Sequence, residues 1–264
     1  MRSRETGAGY RSQFAANPGS MKMSNTLKVL MTVYNGGPYL RTAIDSILNQ
    51  TYSDFHFLIV DDASTDDSRE IVSSYHDNRI ELLALEDNVG QTVALNIGLN
   101  HAGETWIARM DADDFAYPLR LEKQLHLLHE QNLDVVGCQV RIIDESCRVT
   151  RSMCRYERWI NEETIQHEQI SALRFVEFPL VNPTILARRR YFEMGFTDSD
   201  LPEDYDLMLR AAAQGIRFGK VDEVLFDWTD HPDRLTRTDS RYTPEAFTHC
   251  RQLHLLAGPL RDVS

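Results

Sequence analysis

A strand-then-helix unit repeats four times between Leu27 and Ile143, and no other feature restricts the fold of this chain as much. Leu27 to Val33 is an apolar run ended by the turn cluster Tyr34-Asn35-Gly36-Gly37-Pro38, after which Leu40, Ile44, Ile47 and Leu48 recur at helical spacing. Phe55 to Val60 is a second strand. It stops at Asp61-Asp62-Ala63-Ser64-Thr65-Asp66, where Ser64 or Thr65 can cap a helix that carries Ile71 and Val72. Ile80 to Leu85 supplies a third strand, followed by the turn Asn88-Val89-Gly90 and a helix marked by Val93, Ala94, Ile97 and Ala102. Trp106 to Met110 is the fourth strand. Beyond it, Pro118 suits the first turn of a helix whose apolar face is Leu121, Leu125 and Leu128, which leads into strand Val135 to Ile143. Four such units in about 115 residues predict an α/β fold with a mostly parallel sheet and helices on both faces.

Sheets of this kind collect ligands at the carboxyl ends of their strands. Three polar clusters fall at such ends: Thr32 to Asn35, Asp61-Asp62, and Met110-Asp111-Ala112-Asp113-Asp114. The last carries three carboxylates directly after a buried strand and suggests a hard-metal site. Mg²⁺ or Mn²⁺ prefers oxygen ligands, takes one or two protein carboxylates and completes its shell with water and substrate phosphates, so its natural partner is a nucleoside diphosphate. An isolated D-x-D is more often a solvated acidic turn before a helix, so the metal reading has to come from context.

The second half is less regular. From 146 to 178 charged residues and Trp159 show no clear period, which predicts a variable insertion or a flexible loop. Phe178 to Leu186 reads as a strand, Pro202-Glu203-Asp204-Tyr205-Asp206 opens a helix with Tyr205, Met208 and Ala212 on one side, and Val224 to Trp228 is a last short strand. Residues 243–257 form a terminal helix with Phe247, Leu253 and Leu256. The expected organisation is a leader at 1–23, one main domain at 24–240 and a helical extension at 241–264. The leader is rich in Arg, Ser, Gly and Ala without periodicity, and Gly19-Ser20-Met21 reads as a vector-derived junction. Gly7-Ala8-Gly9 follows no strand and is not a dinucleotide fingerprint.

Charge narrows the partners. With 28 Lys and Arg against 40 Asp and Glu, the net charge of -12 argues against general affinity for nucleic acid, although diphosphate can still bind through a divalent cation. Cys138, Cys147, Cys154 and Cys250 form no C-x-x-C pair and show no zinc spacing, which fits a reducing cytoplasmic setting. No apolar run approaches the ~18 residues needed to span a bilayer.

Taken in order, these segments strongly resemble the family 2 glycosyltransferases, which have the GT-A fold with a Rossmann-like sheet, use nucleotide-sugar donors and invert the anomeric centre. Val29-Leu30-Met31-Thr32-Val33-Tyr34-Asn35 resembles the family's opening strand and donor loop. Ile59-Val60-Asp61-Asp62-Ala63-Ser64-Thr65-Asp66 resembles its "VDDGSTD" signature, with Ala63 in place of the usual Gly. Ala94-Leu95-Asn96-Ile97-Gly98, Ile107 to Asp114 and Pro202 to Leu207 resemble its helix, its metal-binding DXD segment and its "ED" helix. The likeness covers about residues 27 to 230, and five motifs in order are far more specific than any one.

The resemblance implies a role for each matching residue. Thr32, Tyr34 and Asp62 match positions that hold the nucleobase, with Asp62 accepting from an imide N–H, which favours UDP- or dTDP-sugars. Asp111 matches a position near the ribose and metal, Asp113 the principal ligand of Mn²⁺ or Mg²⁺, and Asp204 the general base, with Glu203 as the alternative. Such a cation offsets charge on the departing diphosphate, while a carboxylate takes the proton of the acceptor hydroxyl as it attacks C1 from the back. His231 lies where some relatives carry a histidine near the diphosphate or metal, and a surface loop histidine is the other reading. Arg234 and Arg237 could clamp phosphate oxygens or form a solvated basic turn, and Arg109 could face the same site. Asn182 stands where relatives often show His, which leaves the acceptor side open.

The expected acceptor is a glycan or lipid-linked hydroxyl. Two rivals are a sugar-phosphate nucleotidyltransferase and a catalytically silent nucleotide-sugar-binding module. The first normally has a Gly-rich, basic loop after strand one, and Tyr34 to Pro38 has no basic residue. The terminal helix, with Arg251 and Arg261 nearby, could rest on the inner face of a membrane or pack back on the domain, and the chain's acidity favours packing.

Overall fold

The computed structural model describes residues 26–144, 150–162, 164–177, 179–232 and 234–257. The leader, Cys147, Phe178 and Arg261 lie outside these residues. The strands are β1 (Leu27–Val33), β2 (Phe55–Asp61), β3 (Ile80–Ala84), β4 (Trp106–Asp111), β5 (Phe115–Ala116), β6 (Val135–Asp144), β7 (Leu186–Arg188) and β8 (Phe218–Asp230). The helices are α1 (Gly37–Leu48), α2 (Ser68–Ser73), α3 (Gln91–His101), α4 (Arg120–Glu130), α5 (Arg151–Glu162), α6 (His167–Leu173), α7 (Arg189–Phe192), α8 (Glu203–Ala213), α9 (Leu235–Thr238) and α10 (Pro244–Ala257).

The strands form one sheet in the order β3-β2-β1-β4-β7-β6-β8-β5. Pairings among β1, β2, β3 and β4 are parallel, and so is β6 with β8; β7 and β5 run against their neighbours. The sheet is therefore mostly parallel, as its repeat predicts. Alternation along the strands sends side chains to two cores. Leu27, Val29, Met31 and Val33 of β1 pack with Leu40, Ile44 and Ile47 of α1 and with Leu121, Leu125 and Leu128 of α4 on one face. Leu30 and Leu58 face Leu95 and Leu99 of α3 and the apolar side of α8 on the other. Each such fully buried aliphatic side chain is worth about 1.5–3 kcal/mol, so helices cover both faces of the sheet.

One motif owes its composition to this packing. At Gly98 of α3 an added Cβ would stand 2.5 Å from Leu30 Cδ1 and 3.0 Å from Val60 Cγ2, so the glycine lets the helix lie close on β1 and β2. Two residues earlier, Asn96 Nδ2 donates to the Phe196 carbonyl at 2.7 Å and its Oδ1 accepts from Phe196 N–H at 2.9 Å. That pair fixes the entry to α8.

The structure departs from expectation in the second half. The stretch read as patternless holds α5 and α6; Tyr156, Trp159 and Ile160 do lie at helical spacing, but Ile160 alone is fully buried in α5 and charged residues dilute the pattern. The strand expected over Phe178–Leu186 is instead a 3₁₀ turn at Asn182–Thr184 and a three-residue strand, because Pro183 has no N–H to give a ladder. The last strand is not short. It runs for 13 residues and meets β6 through register shifts around Gln139, with Cys138 beside Val221 but Val140 beside Phe226. The residues expected to cap α2 bind elsewhere: Ser64 Oγ accepts from Asn35 N–H, and Thr65 N–H and Oγ1 donate to Asn35 Oδ1.

Among the described residues no helix is long and apolar enough to cross a membrane. Helix α10 packs on α8: Tyr205 and Phe247 rings lie 5.5 Å apart, His254 Nε2 is 2.8 Å from Asp206 Oδ1, and Cys250 is buried. Its outer residues Leu253, Leu255 and Leu256 stay exposed.

Candidate active site

Register aligns the strand ends. Thr32 lies beside Val60 on one side and Asp111 on the other, and Val33 beside Asp61, so the polar clusters after β1, β2 and β4 meet along one edge. They form one wall of a cleft of about 930 Å³. The start of α8, residues 180–183, the stretches beginning at Trp228 and at Asp239, and single residues of α5 and α10 line the other sides. Thr32, Tyr34, Asp62, Asp111, Asp113, Glu203, Asp204, His231 and Arg234 all line this cleft, as does Asn182.

Main-chain groups hold the strand-end wall. Asp62 Oδ1 accepts from Val89 N–H at 2.8 Å and its Oδ2 from Gly90 N–H at 2.9 Å, leaving further lone pairs on both oxygens. Gly90 does this at φ +84°, a conformation side chains rarely adopt. Asp61 is fully buried and paired with Arg69 and the Ser64 N–H, so it braces the turn. Within that turn Ala63 has φ +57°, the left-handed conformation that explains why glycine is usual there. Tyr34, in contrast, is half exposed at the rim.

The three carboxylates after β4 differ in their surroundings. Asp111 Oδ1 accepts from Arg109 Nη2 at 2.6 Å, and Asp113 Oδ2 lies 2.9 Å from His231 Nε2. Asp114 turns inward, accepts from Thr229 N–H at 2.8 Å, and keeps a buried Oδ2 with no hydrogen-bond partner among the described residues. One oxygen from each lies within 4.8 Å of the others. Burial first, and then repulsion from Asp113, pushes the Asp114 carboxyl well above the usual range. Burial likewise raises Asp111, against the pull of Arg109. His231 is stacked on Tyr39 with centroids 5.1 Å apart, which fixes its ring and excludes a freely solvated loop position.

Two of the candidate arginines stay out of the cleft. Arg109 does not line the cleft; it is fully buried, donates to Asp111 and to the Met110 carbonyl, and so stands behind the wall. It shares a face of β4 with Asp111 but lies two residues before the strand end, where the sheet is still covered. Arg237 is paired with Asp230 and stays out of the lining, whereas Arg234 lies in it, with its guanidinium 4.0 Å above the Trp228 ring.

On the helix wall, Glu203 and Asp204 open α8, where the helix dipole favours negative charge. Glu203 is buried, with Oε1 accepting from the Tyr242 hydroxyl at 2.6 Å and Oε2 lying 3.8 Å from Arg241 Nη1. Asp204 is half-buried and pushed up to about 7, by burial first and then by the Glu203 charge. A carboxyl poised there exchanges a proton near neutrality. Sequence reading missed Asp239, Arg241, Tyr242 and Phe247, which complete this wall from beyond the last strand, and Tyr156 and Glu177 from the region thought patternless. Nothing in Asp239-Ser240-Arg241-Tyr242 marks it as part of a site; only Tyr156 had a detectable signal, its spacing to Trp159 and Ile160.

Residues 28–196 match the description "Glycosyl transferase family 2". The chain belongs to that family. An O-antigen biosynthesis glycosyltransferase, WbnJ of Escherichia coli, is 32% identical over 222 residues, covering 80% of this chain and 82% of that protein. Among solved structures, S. aureus TarS 1-349 in complex with UDP-GlcNAc shares the fold with TM-score 0.69 at 20% identity, over 89% of this chain and 68% of that one. The mannosyltransferase PcManGT of Pyrobaculum calidifontis, in complex with GDP-Man and Mn²⁺, has TM-score 0.59 at 21% identity, over 76% of this chain and 56% of that one. This glycosyltransferase thus has the GT-A type sheet that its motifs imply, and the nucleotidyltransferase and silent-module readings give way.

Proposed function

We propose that this glycosyltransferase moves a sugar from a UDP- or dTDP-sugar to a hydroxyl of a glycan or lipid-linked acceptor, in one displacement that inverts the anomeric centre. The observation that carries the reading is that Asp113 and Asp204 line one cleft, with Asp113 against His231 and Asp204 poised near neutrality. Asp62, with lone pairs left after its two main-chain bonds, would accept the imide N–H of the pyrimidine, and Thr32 and Tyr34 would flank the base. Asp204 would take the acceptor proton, and its neighbour Glu203 would keep its proton affinity high. Arg234, held over Trp228, is within the cleft to meet phosphate oxygens.

The residues present suit a divalent cation. Clustered hard oxygens, an orphaned buried oxygen on Asp114 and an imidazole nitrogen beside Asp113 make a donor set appropriate to Mn²⁺ or Mg²⁺. Asp113 and Asp111, with His231, would hold it, and when bound it offsets negative charge on the diphosphate leaving group. The relatives support this picture at a distance: one neighbour is complexed with UDP-GlcNAc, another with GDP-Man and Mn²⁺, and a relative serves O-antigen biosynthesis. Exposed Leu253 and Leu256 would supply any peripheral membrane contact, which co-sedimentation with anionic liposomes tests.

A panel of UDP-, dTDP- and GDP-sugars, read as Mn²⁺-dependent thermal stabilisation, tests the donor assignment. Ligand at about 100 times its dissociation constant adds about 2.7 kcal/mol of stability, so a pyrimidine donor should raise the unfolding midpoint by several degrees. Stabilisation by GDP-sugars alone would remove the Asp62 assignment, and stabilisation unaffected by chelation would remove the cation.

A further inference from the structure

The segment after β8 crosses the cleft and touches both rims. Arg241 sends Nε and Nη2 to Asp239 Oδ2 at 3.0 and 2.7 Å, which fixes the plane of its guanidinium. Its remaining terminal nitrogen, Nη1, donates to Thr92 Oγ1 at 2.7 Å and lies 3.8 Å from Glu203 Oε2. Thr92 is buried in the first turn of α3, directly after the Val89 and Gly90 N–H groups that hold Asp62. Glu203 begins α8, next to Asp204, and its other oxygen is held by Tyr242. One guanidinium therefore connects the two ends of the site.

We propose that Arg241 is a positioning residue that braces the nucleotide rim at Gly90–Thr92 against the carboxylate rim at Glu203–Asp204, with Tyr242 locking the second half of the joint. The inference rests on the reading of Asp204 as the base, and it adds that the spacing between base and donor is set from the C-terminal segment. Three facts support a brace over an ordinary surface ion pair. Arg241 is mostly buried, two of its nitrogens anchor it on Asp239 while the third faces Thr92 and Glu203, and Glu203 is a buried carboxylate whose Oε2 has no hydrogen-bond partner among the described residues. Such a carboxylate stays in place only while opposite charge and a donor face it. If the joint is removed, the two rims keep their folds but lose their fixed separation. A misplacement of about 1 Å between base and reacting carbon costs on the order of 100-fold in turnover, while affinity for a nucleotide that meets only one of the two rims changes little.

Hydrogen exchange and kinetics on Arg241→Gln, Arg241→Lys and Tyr242→Phe test this. Exchange should accelerate in Arg241→Gln at both 88–95 and 203–208 by more than in β1 and β2, over and above any fall in the unfolding midpoint from leaving Glu203 unpaired. Calorimetry with UDP and Mn²⁺ should stay within about threefold of wild type, since no phosphate or base contact is lost. Turnover of UDP-GlcNAc by transfer to water should drop at least about tenfold in kcat with KM within about threefold, and Arg241→Lys should restore part of it. Acceleration confined to 237–243, or no change at either rim, overturns the brace even where turnover falls. If wild type binds no UDP with Mn²⁺ while both rims loosen in Arg241→Gln, the brace stands and the donor reading fails.

Discussion

On the strand-end wall Asp62 is fixed by two main-chain N–H groups of one turn, whereas on the helix wall Glu203 is fixed by the side chains of Arg241 and Tyr242, the latter 39 residues downstream. Backbone-built geometry follows from where strands end, so it comes with the sheet. Side-chain-built geometry depends on long residues that could each be replaced without altering the fold. The strand-end wall is thus held by the sheet itself, and the helix wall by side chains that could be exchanged without altering the fold.

The sharpest way to break the comparison is to remove one carboxylate from each wall. Asp113→Asn should abolish binding of UDP with Mn²⁺ and turnover together, whereas Asp204→Asn should retain binding and lose about 10³-fold in transfer, as expected for loss of a general base. Calorimetry on both variants decides, and undiminished binding by Asp113→Asn would detach the metal from that wall.

A subtler intervention separates the two carboxylates of the helix wall. As the proposed base, Asp204 would act only when ionised, so activity should fall as pH drops through about 7. Glu203→Gln removes the repulsion that helps to raise Asp204, and the acid limb of kcat/KM should move to lower pH. A limb that stays in place would show that burial alone sets it.

Away from both walls, Lys220 of β8 is buried against the end of α5, with its ammonium on the Ile160 carbonyl and the Thr164 hydroxyl. Burial lowers it to about 7, below its unfolded value of about 10.5. The unfolded chain therefore binds the proton more tightly, and the resulting destabilisation grows as pH falls from about 10.5 and is complete below about 7. Lys220→Met should raise the unfolding midpoint by roughly 3–6 °C at pH 7, from about 1–2 kcal/mol, and flatten its rise with pH.

The smallest effect belongs to the strand-end wall. Ala63→Gly relieves a left-handed backbone at φ +57° and should add about 0.5–1 kcal/mol, after the extra freedom glycine gains in the unfolded chain. Denaturant midpoints at unchanged slope would report it.

The same contrast explains what the sequence disclosed. Thr32, Asp62, Asp111 and Asp113 follow apolar runs whose period announces a strand, so both their fold position and their cleft position were legible. Glu203 and Asp204 were legible through their motif. Arg241 and Tyr242 were not, because a polar pair in a short turn carries no period and its partners lie far away in the chain. Arg109 illustrates the converse: it shares a face of β4 with Asp111, and only its place two residues before the strand end, where the sheet is still covered, keeps it out of the cleft. Helices α5 and α6 were hidden because each seats one fully buried residue, Ile160 or Ile170, against the edge of the sheet formed by β6 and β8, so few apolar positions mark its period.

The irregular pairing of β6 and β8 has one more consequence. Between Cys138 and Val140 the chain advances two positions, while their neighbours Val221 and Phe226 are five apart. An odd count along a regular strand would rotate everything beyond it by half a turn, and the bulge absorbs that rotation so that Trp228 still lines the cleft. The length of 222–225, rather than its composition, therefore acts as a phase setting: shortening it by one residue would leave the hydrophobic inventory intact yet turn the Trp228 indole, and the arginine resting on it, toward the opposite face of the sheet.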